Sequence, residues 1–414
     1  LDLAMAVLTG MHRDKIHKLG FDVINDLDLR AWLRQNGANE HYTVQSAPIT
    51  AMYDLVFAYK DGDITQPSLE AGTGLRGMLL LVLGYKGAVM WKMQAGMGDT
   101  VFTPFYQVLK QRGVKFKYFH QVESLSLDPN NSASVEKINL LQQVELAGGA
   151  DHYDPLVYVK GLACWPSEPH YGQLLPETAQ LLQANKIDLE CFWSDWPEVY
   201  RNHYQRDLPK VTLQRGKDFD KIIYGISVAS LPHICAELLA KSPALQATSD
   251  NLNTVATQAY QLWNTEDLRD LGWDHYPPSG QEPILTAFTE PVDTWAAMNQ
   301  LLAREEWEGY PTEPKNCAYF CGVQAIESFP PPSEHGFPAA SRAQVKENCI
   351  NQLNQDIKAL WPNSASSHAF HWSLLYDTEN REGEARFDAQ YWRSNVSPSE
   401  RYVLSTVGTS QFRI

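Results

Sequence analysis

The sequence predicts an α/β protein, and three observations carry that expectation. Residues 1–60 space their apolar side chains at helical intervals, residues 114–122 and several later runs alternate at strand intervals, and the stretch from Asn251 onward mixes both textures. With 414 residues, 44% hydrophobic and 20% charged, the chain can bury a large core spread over two or three domains.

In the first 60 residues Asp26 and Asp28 stand as caps before Leu29. A carboxylate there accepts hydrogen bonds from the first free amides of a helix. Residues 61–67 read as a linker, and a second helical stretch runs to Met90. Its apolar run, residues 78–83, is far shorter than the roughly 20 residues that span a bilayer, so it reads as a buried helix. The glycine-rich residues 93–100 lead into a helix over 101–111, which Arg112 and Gly113 close, glycine supplying the left-handed geometry of a helix end.

Strands are expected at 114–122, 135–146, 156–159 and 217–226, together a small meander. Further on, 254–263 reads as a strand, 295–305 as a helix, 316–323 as a strand and 341–361 as a helix. Residues 329–332 and 362–367 read as surface loops because proline removes a donor and fixes φ. Residues 402–414 read as a strand and its continuation.

A formal charge of −15 argues against a nucleic-acid partner, since phosphate binding needs clustered Lys and Arg. Six cysteines in so long a chain read as reduced thiols, which makes the cytoplasm the expected compartment. Cys317 and Cys321 are the one close pair, and on a strand their thiols lie about 13 Å apart, which suits two buried structural cysteines better than a metal cluster. No basic region precedes the apolar start, as a signal peptide requires. Leu1 is not a methionine, and both ends read as cut. The parts of hydrolase, zinc-protease and P-loop chemistry are missing from the motif pattern.

Gly72, Gly74 and Gly77 match the G-x-G-x-x-G string of a dinucleotide-binding turn. That turn needs a buried strand immediately before it, and residues 63–71 contain Pro67 and no hydrophobic strand. The match is therefore discounted.

The order of three other segments is more informative. Gln94-Ala-Gly-Met-Gly98 opens a helix, Arg112-Gly113 ends it, and a strand then reaches His120-Gln-Val-Glu-Ser-Leu125. Asp218-Phe-Asp-Lys-Ile-Ile-Tyr-Gly-Ile-Ser227 follows later as a strand and turn. This order resembles the flavin amine oxidase and phytoene desaturase superfamily. Lys92-Met-Gln-Ala-Gly-Met-Gly-Asp-Thr-Val-Phe102, Lys160-Gly-Leu-Ala-Cys-Trp-Pro-Ser-Glu168, Thr257-Gln-Ala-Tyr-Gln-Leu-Trp263 and Ala389-Gln-Tyr-Trp-Arg393 resemble more closely a bacterial group of NAD/FAD-binding-domain oxidoreductases with unassigned substrate. The resemblance covers nearly the whole chain.

The resemblance implies a discontinuous, Rossmann-like FAD-binding domain with a mixed α+β substrate domain. Residues 1–92 would be a helical substrate-side segment, 93–250 a return to the FAD domain carrying the meander, 251–385 the substrate domain, and 386–414 the start of the return to the flavin. It also implies an N-terminal βαβ unit before Leu1 and a C-terminal flavin segment after Ile414, both absent from the chain, so that the chain by itself should not hold FAD tightly.

The cofactor that the resemblance implies is FAD. Gly96, Met97 and Gly98, Val122 at a strand end beside the adenine, and Gly225, Ile226 and Ser227 are the implied contacts, although Ser227 stands where relatives often have Pro. With 12 Trp and 19 Tyr to choose from, Trp263, Trp372, Tyr391 and Trp392 are the candidates for lining a substrate cavity. The implied activity is oxidation, desaturation or isomerisation of a small apolar or amine-type substrate by hydride transfer to flavin N5, with no transmembrane segment and peripheral membrane contact left open. The alternative is a catalytically silent relative that binds a lipid or isoprenoid or acts as a scaffold.

Overall fold

The computed structural model describes residues 1–87, 90–149, 152–276, 282–367 and 369–413. Its first unit starts from the expected cap: the Asp28 carboxylate accepts from the amides of Arg30 and Ala31 and so opens helix α2 (Leu29–Gln35), which follows α1 (Asp2–Arg13). The same carboxylate accepts from the Tyr53 hydroxyl and the Leu69 amide, tying α2 to its neighbours. Leu29, Trp32, Leu33, Ile49 and Tyr53 close around this point with no exposed surface. Helix α3 (Ala71–Leu79) packs on it through its first turns, and its three glycines lie inside the helix, facing Phe21, Leu29 and Phe57.

The apolar run at the end of α3 departs from expectation. The helix continues only as a wide turn (Leu80–Gly84), where Val82 is 72% and Leu83 76% exposed. Leucine-rich sequence says that a surface prefers cover, not that cover exists, and here the chain has already passed the edge of the core.

Helix α4 (Thr103–Gln111) ends at Arg112 and Gly113, whose φ of +87° is the expected glycine end. The strand expected at 114–122 starts later: β1 is His120–Asp128, since Phe119 turns the chain at φ +57°. β1 pairs antiparallel with β2 (Asn131–Gln142), and the third strand of this sheet is β3 (Lys210–Gln214). Residues 217–226, expected as that strand, form no ladder. Lys210–Gln214 alternates equally well and takes the place beside β2, with Lys137 opposite Gln214. Between β2 and β3, helices α5 (Pro176–Ala184) and α6 (Trp196–Tyr204) enclose Leu182, Trp196 and Tyr200.

The largest sheet is built from β4 (Thr254–Asn264), β5 (Ile284–Leu285), β6 (Thr294–Ala297), β7 (Asn316–Gln324) and β8 (Tyr391–Asn395) in the order β8-β4-β7-β6-β5, with β9 (Tyr402–Val403) pairing on β4. Its six strands therefore draw on residues beyond 385, from the stretch expected to return to the flavin. All its pairings are antiparallel. Residues 294–297 are a strand where a helix was expected, because Trp295 and Ala297 alternate into the core beside β7. Helix α7 (Phe337–Gln355) covers one face, burying Val345, Cys349 and Leu353 against Tyr260, Trp295 and Phe320. The Tyr260 hydroxyl donates to Gln352 Oε1 at 2.5 Å, and Gln352 Nε2 donates to the Val292 carbonyl at 2.7 Å, so these two buried polar side chains satisfy each other and the backbone.

The protein is thus a mixed α/β fold of helices and antiparallel sheets. No helix among the described residues is long and apolar enough to cross a membrane.

Candidate functional site

Directly paired residues of an antiparallel ladder point to the same face, so the register of β8, β4, β7 and β6 defines the face opposite α7. Gln261 pairs with Tyr319 and with Tyr391, Ala259 with Cys321 and with Arg393, and Trp263 with Cys317. Thr294 and Ala296 extend the row on β6. Tyr391 is 50% exposed, and Trp263, Gln261, Tyr319 and Cys321 are half-buried, so this face remains reachable. Trp263 meets Trp307 edge-on at 5.4 Å between ring centroids.

The face is electrically neutral over most of its area. Burial, reinforced by Glu305, pushes the Cys317 thiol up to about 12; burial and Asp293 push Cys321 up to about 11. Burial, with Cys321 beside it, raises the Tyr319 phenol well above its usual range. All three therefore stay protonated at neutral pH. At one end Arg393 is neutralised by Glu400, 2.5 Å away.

The four candidate cavity residues divide. Trp263 and Tyr391 lie on the open face. Trp392 lies on the covered one, its ring 5.3 Å from Phe387 and under the guanidinium of Arg342 on α7. Trp372 packs 5.1 Å from Phe370 against the covered core. Consecutive residues of one strand cannot line one face, so Tyr391 and Trp392 had to separate. Tyr319 and Gln261, which motif reading passed over, occupy the centre. Parity along β4 and β7 was the signal that could have found them.

At the far end of the sheet an acidic group meets the helical unit. Burial raises Asp54 to about 8, with Asp293 and Glu290 adding to the effect. Glu290 is exposed over much of its surface, yet desolvation of its carboxyl, then Asp293, raises it to about 7. Burial also raises Asp293. Arg30 and Tyr59 are buried nearby, and Arg30 moderates the charge on Asp54.

The residues expected to touch FAD occupy separate places. Gly96, Met97 and Gly98 precede α4 against the hairpin strand Leu162–Cys164, where Asp99 accepts from the Trp165 amide at 2.9 Å. A side chain at Gly96 would meet only Asp99 Oδ2 at 3.1 Å, and one at Gly98 only Trp165 Cδ1 at 3.4 Å. Met97 is exposed. Val122 is the third residue of β1, paired with Leu140 just before an irregularity in the ladder, rather than the last residue of a strand. β1 is an edge strand.

Gly225, Ile226 and Ser227 end an extended segment. Ile222 and Tyr224 face Leu125 and Leu231, while Ile223 is 96% exposed. Among the described residues the backbone groups of 221–226 form no hydrogen bonds.

An extended segment with one packed face and an unpaired backbone fits a sheet edge, and it shares its core with β1. Such an edge is a general feature and by itself marks no cofactor domain. The pyrophosphate cradle is a different matter: a Cβ at Gly72 would fall 2.0 Å from the Phe21 carbonyl oxygen, so the space beside that glycine is already filled by protein. Neither a family profile nor a curated protein matches the sequence.

Proposed function

We propose that the chain is the substrate-side part of an FAD-dependent oxidoreductase that oxidises, desaturates or isomerises an apolar or amine-type substrate. The observation that carries this reading is the asymmetry of the large sheet. One face is sealed by α7, while the other presents Trp263, Gln261, Tyr319 and Tyr391 as a neutral, aromatic, reachable surface. In this reading the Rossmann-like unit and its pyrophosphate site belong to sequence on either side of the chain, as the resemblance implies. Val122, Gly96–Gly98 and Gly225–Ser227 would contribute contacts to the cofactor.

Bound to the protein, FAD would supply a hydride acceptor at N5. The chain's own residues would do the rest. Trp263 and Tyr391 would exclude water and hold an apolar body by ring contact. The Gln261 amide and the Tyr319 hydroxyl would orient a polar group of the substrate. Because the thiols and the phenol remain protonated, the face would favour a neutral substrate over an anionic one.

The test is to purify the chain with its flanking sequence, without added cofactor, and record absorbance in the flavin bands. Substrate-dependent bleaching under anaerobic conditions would follow. Flavin occupancy and its loss in a Gly96→Val, Gly98→Val pair are expected, with melting of the variant measured alongside, since within the chain a Cβ would meet only the end of the Asp99 side chain at Gly96 and the edge of the Trp165 ring at Gly98. A colourless protein that takes up no added FAD would overturn the proposal and favour a silent binding or scaffolding relative.

A further inference from the structure

We propose that Arg401, with His233 beside it, forms a binding site for an anionic group, a carboxylate or a phosphate, next to the turn at Ser227. The starting point is an imbalance of charge. The chain carries a formal charge of −15, and several of its partly buried arginines are answered by a carboxylate: Arg393 by Glu400, Arg381 by Asp377 and Arg413 by Glu70. Arg401 follows Glu400 directly in sequence, but that carboxylate is spent on Arg393. The Arg401 guanidinium lies 3.8 Å over the Phe329 ring, and its Nε is shut away from solvent without an acceptor. Among the described residues no carboxylate pairs with it, and desolvation alone acts on it, lowering its pKa to about 10.

Burying a cation without a counter-charge is costly, and such groups in folded proteins are paired or await a ligand. The guanidinium's terminal nitrogens form a planar fork that matches two oxygens of a carboxylate or phosphate. His233 stands beside the guanidinium as a neutral ring. Partial desolvation and the charge of Arg401 both lower its pKa, and its ring rests 4.6 Å from that of Phe192. The ring contacts of these two groups are Phe329 for Arg401 and Phe192 for His233.

Access is open. Ser227 Oγ donates to the Arg401 carbonyl at 3.3 Å, fixing the turn beside the arginine. Two residues earlier, no atom lies within 4 Å of where a Cβ on Gly225 would stand. The site does not depend on the flavin reading: a dinucleotide phosphate or a substrate carboxylate would satisfy it equally.

The experiment titrates inorganic phosphate and, separately, butyrate into the folded chain by calorimetry at constant ionic strength with chloride as background. The proteins are the wild type, Arg401→Met and Arg401→Lys. Saturable binding of at least one anion at one equivalent is expected, weakened about tenfold to a hundredfold in Arg401→Met, as loss of a charge-assisted contact implies, and less in Arg401→Lys. Phosphate binding that FAD competes away assigns the site to a cofactor phosphate; binding of butyrate without competition assigns it to a substrate carboxylate.

Melting without anion provides the second readout. An unanswered charge predicts that Arg401→Met melts no lower than the wild type, whereas a packing role on Phe329 predicts that it melts lower. If Arg401→Met fails to fold, the packing role is established, and Arg401→Lys carries the binding comparison. Absence of saturable binding of either anion to the wild type, or equal affinity in the wild type and the folded variants, overturns the proposal.

Discussion

Replacing Gly72 by Ala is expected to destabilise the protein, against the trend that helix propensity sets. In an exposed helix interior the change gains about 1 kcal/mol. In α3 the new Cβ would stand 2.0 Å from the Phe21 carbonyl oxygen and 2.6 Å from Asn25 Oδ1. Neither atom can yield cheaply. The first belongs to the backbone; the second accepts from the Thr73 amide, while Asn25 Nδ2 donates to Asp22 and Ser410.

Relieving the overlap means moving α3 away from Phe21 and loosening the Asn25 bonds, for roughly 1–3 kcal/mol of overpacking and about 1 kcal/mol per weakened bond. After the propensity gain the net loss is about 2 kcal/mol. Gly77→Ala is the control, because its nearest neighbour is the Phe57 ring at 3.1 Å, which can tilt. Urea unfolding followed by tryptophan fluorescence and circular dichroism should place Gly72→Ala well below the wild type and Gly77→Ala close to it. A Gly72→Ala protein as stable as the wild type would refute the packing account. Loss of nucleotide binding in both variants without loss of stability would restore the dinucleotide-turn reading of this string.

Two further outcomes follow from the charges and the uncovered apolar surface. Asp54 and Glu290 have folded-state values of about 8 and about 7, above their ordinary 3.8 and 4.5, so the folded state binds protons more tightly than the unfolded chain. This source of stability is complete below about pH 4 and is lost as pH rises towards about 8. Melting should therefore be lower at pH 8 than at pH 5, and Asp54→Asn should reduce the difference; an unchanged difference in the variant would count against the shifted carboxyl. Leu83→Lys with Phe105→Lys changes two exposed apolar side chains, at 76% and 63%, and should lower the associated fraction in size-exclusion chromatography while leaving the melting temperature nearly unchanged. A wild type that stays monomeric at every concentration would show that this surface needs no cover.

Elements with strong local chemistry were legible. Asp28 as a cap and Gly113 as a helix end each rest on one residue meeting a backbone requirement, and both hold. The strand at Thr254–Asn264 matches the expected range to one residue, and the helix expected at 341–361 is found as Phe337–Gln355 followed by a short turn of helix at Ile357–Leu360, because both elements have a sustained apolar period at the centre of a core. Residues 217–226, read as a strand, and 295–305, read as a helix, both misled because the local pattern does not show the partner. Alternation marks an extended backbone with two unlike faces, but membership of a ladder is decided by a partner far away in sequence. Lys210–Gln214 found β2, and Trp295 found β7, while 221–226 stayed extended without any partner among the described residues.

The site was legible in proportion to how far parity was followed. Once β4 and β7 are recognised, Cys317, Tyr319 and Cys321 must share one face and Ala318 and Phe320 the other, so Tyr319 was available to sequence reasoning. Which face is covered was not, because that depends on where α7 docks, 13 residues after β7 ends. Arg401 marks a harder limit. Its neighbour Glu400 suggests a partner, and an excess of 15 negative charges suggests many more, yet charge balance in a low-dielectric site is decided within a few ångströms. Glu400 turns to Arg393, and the guanidinium next to it is left over an aromatic ring. A net charge can be counted from the chain, but an unanswered charge is a property of the fold, and it is there that a ligand has something to gain.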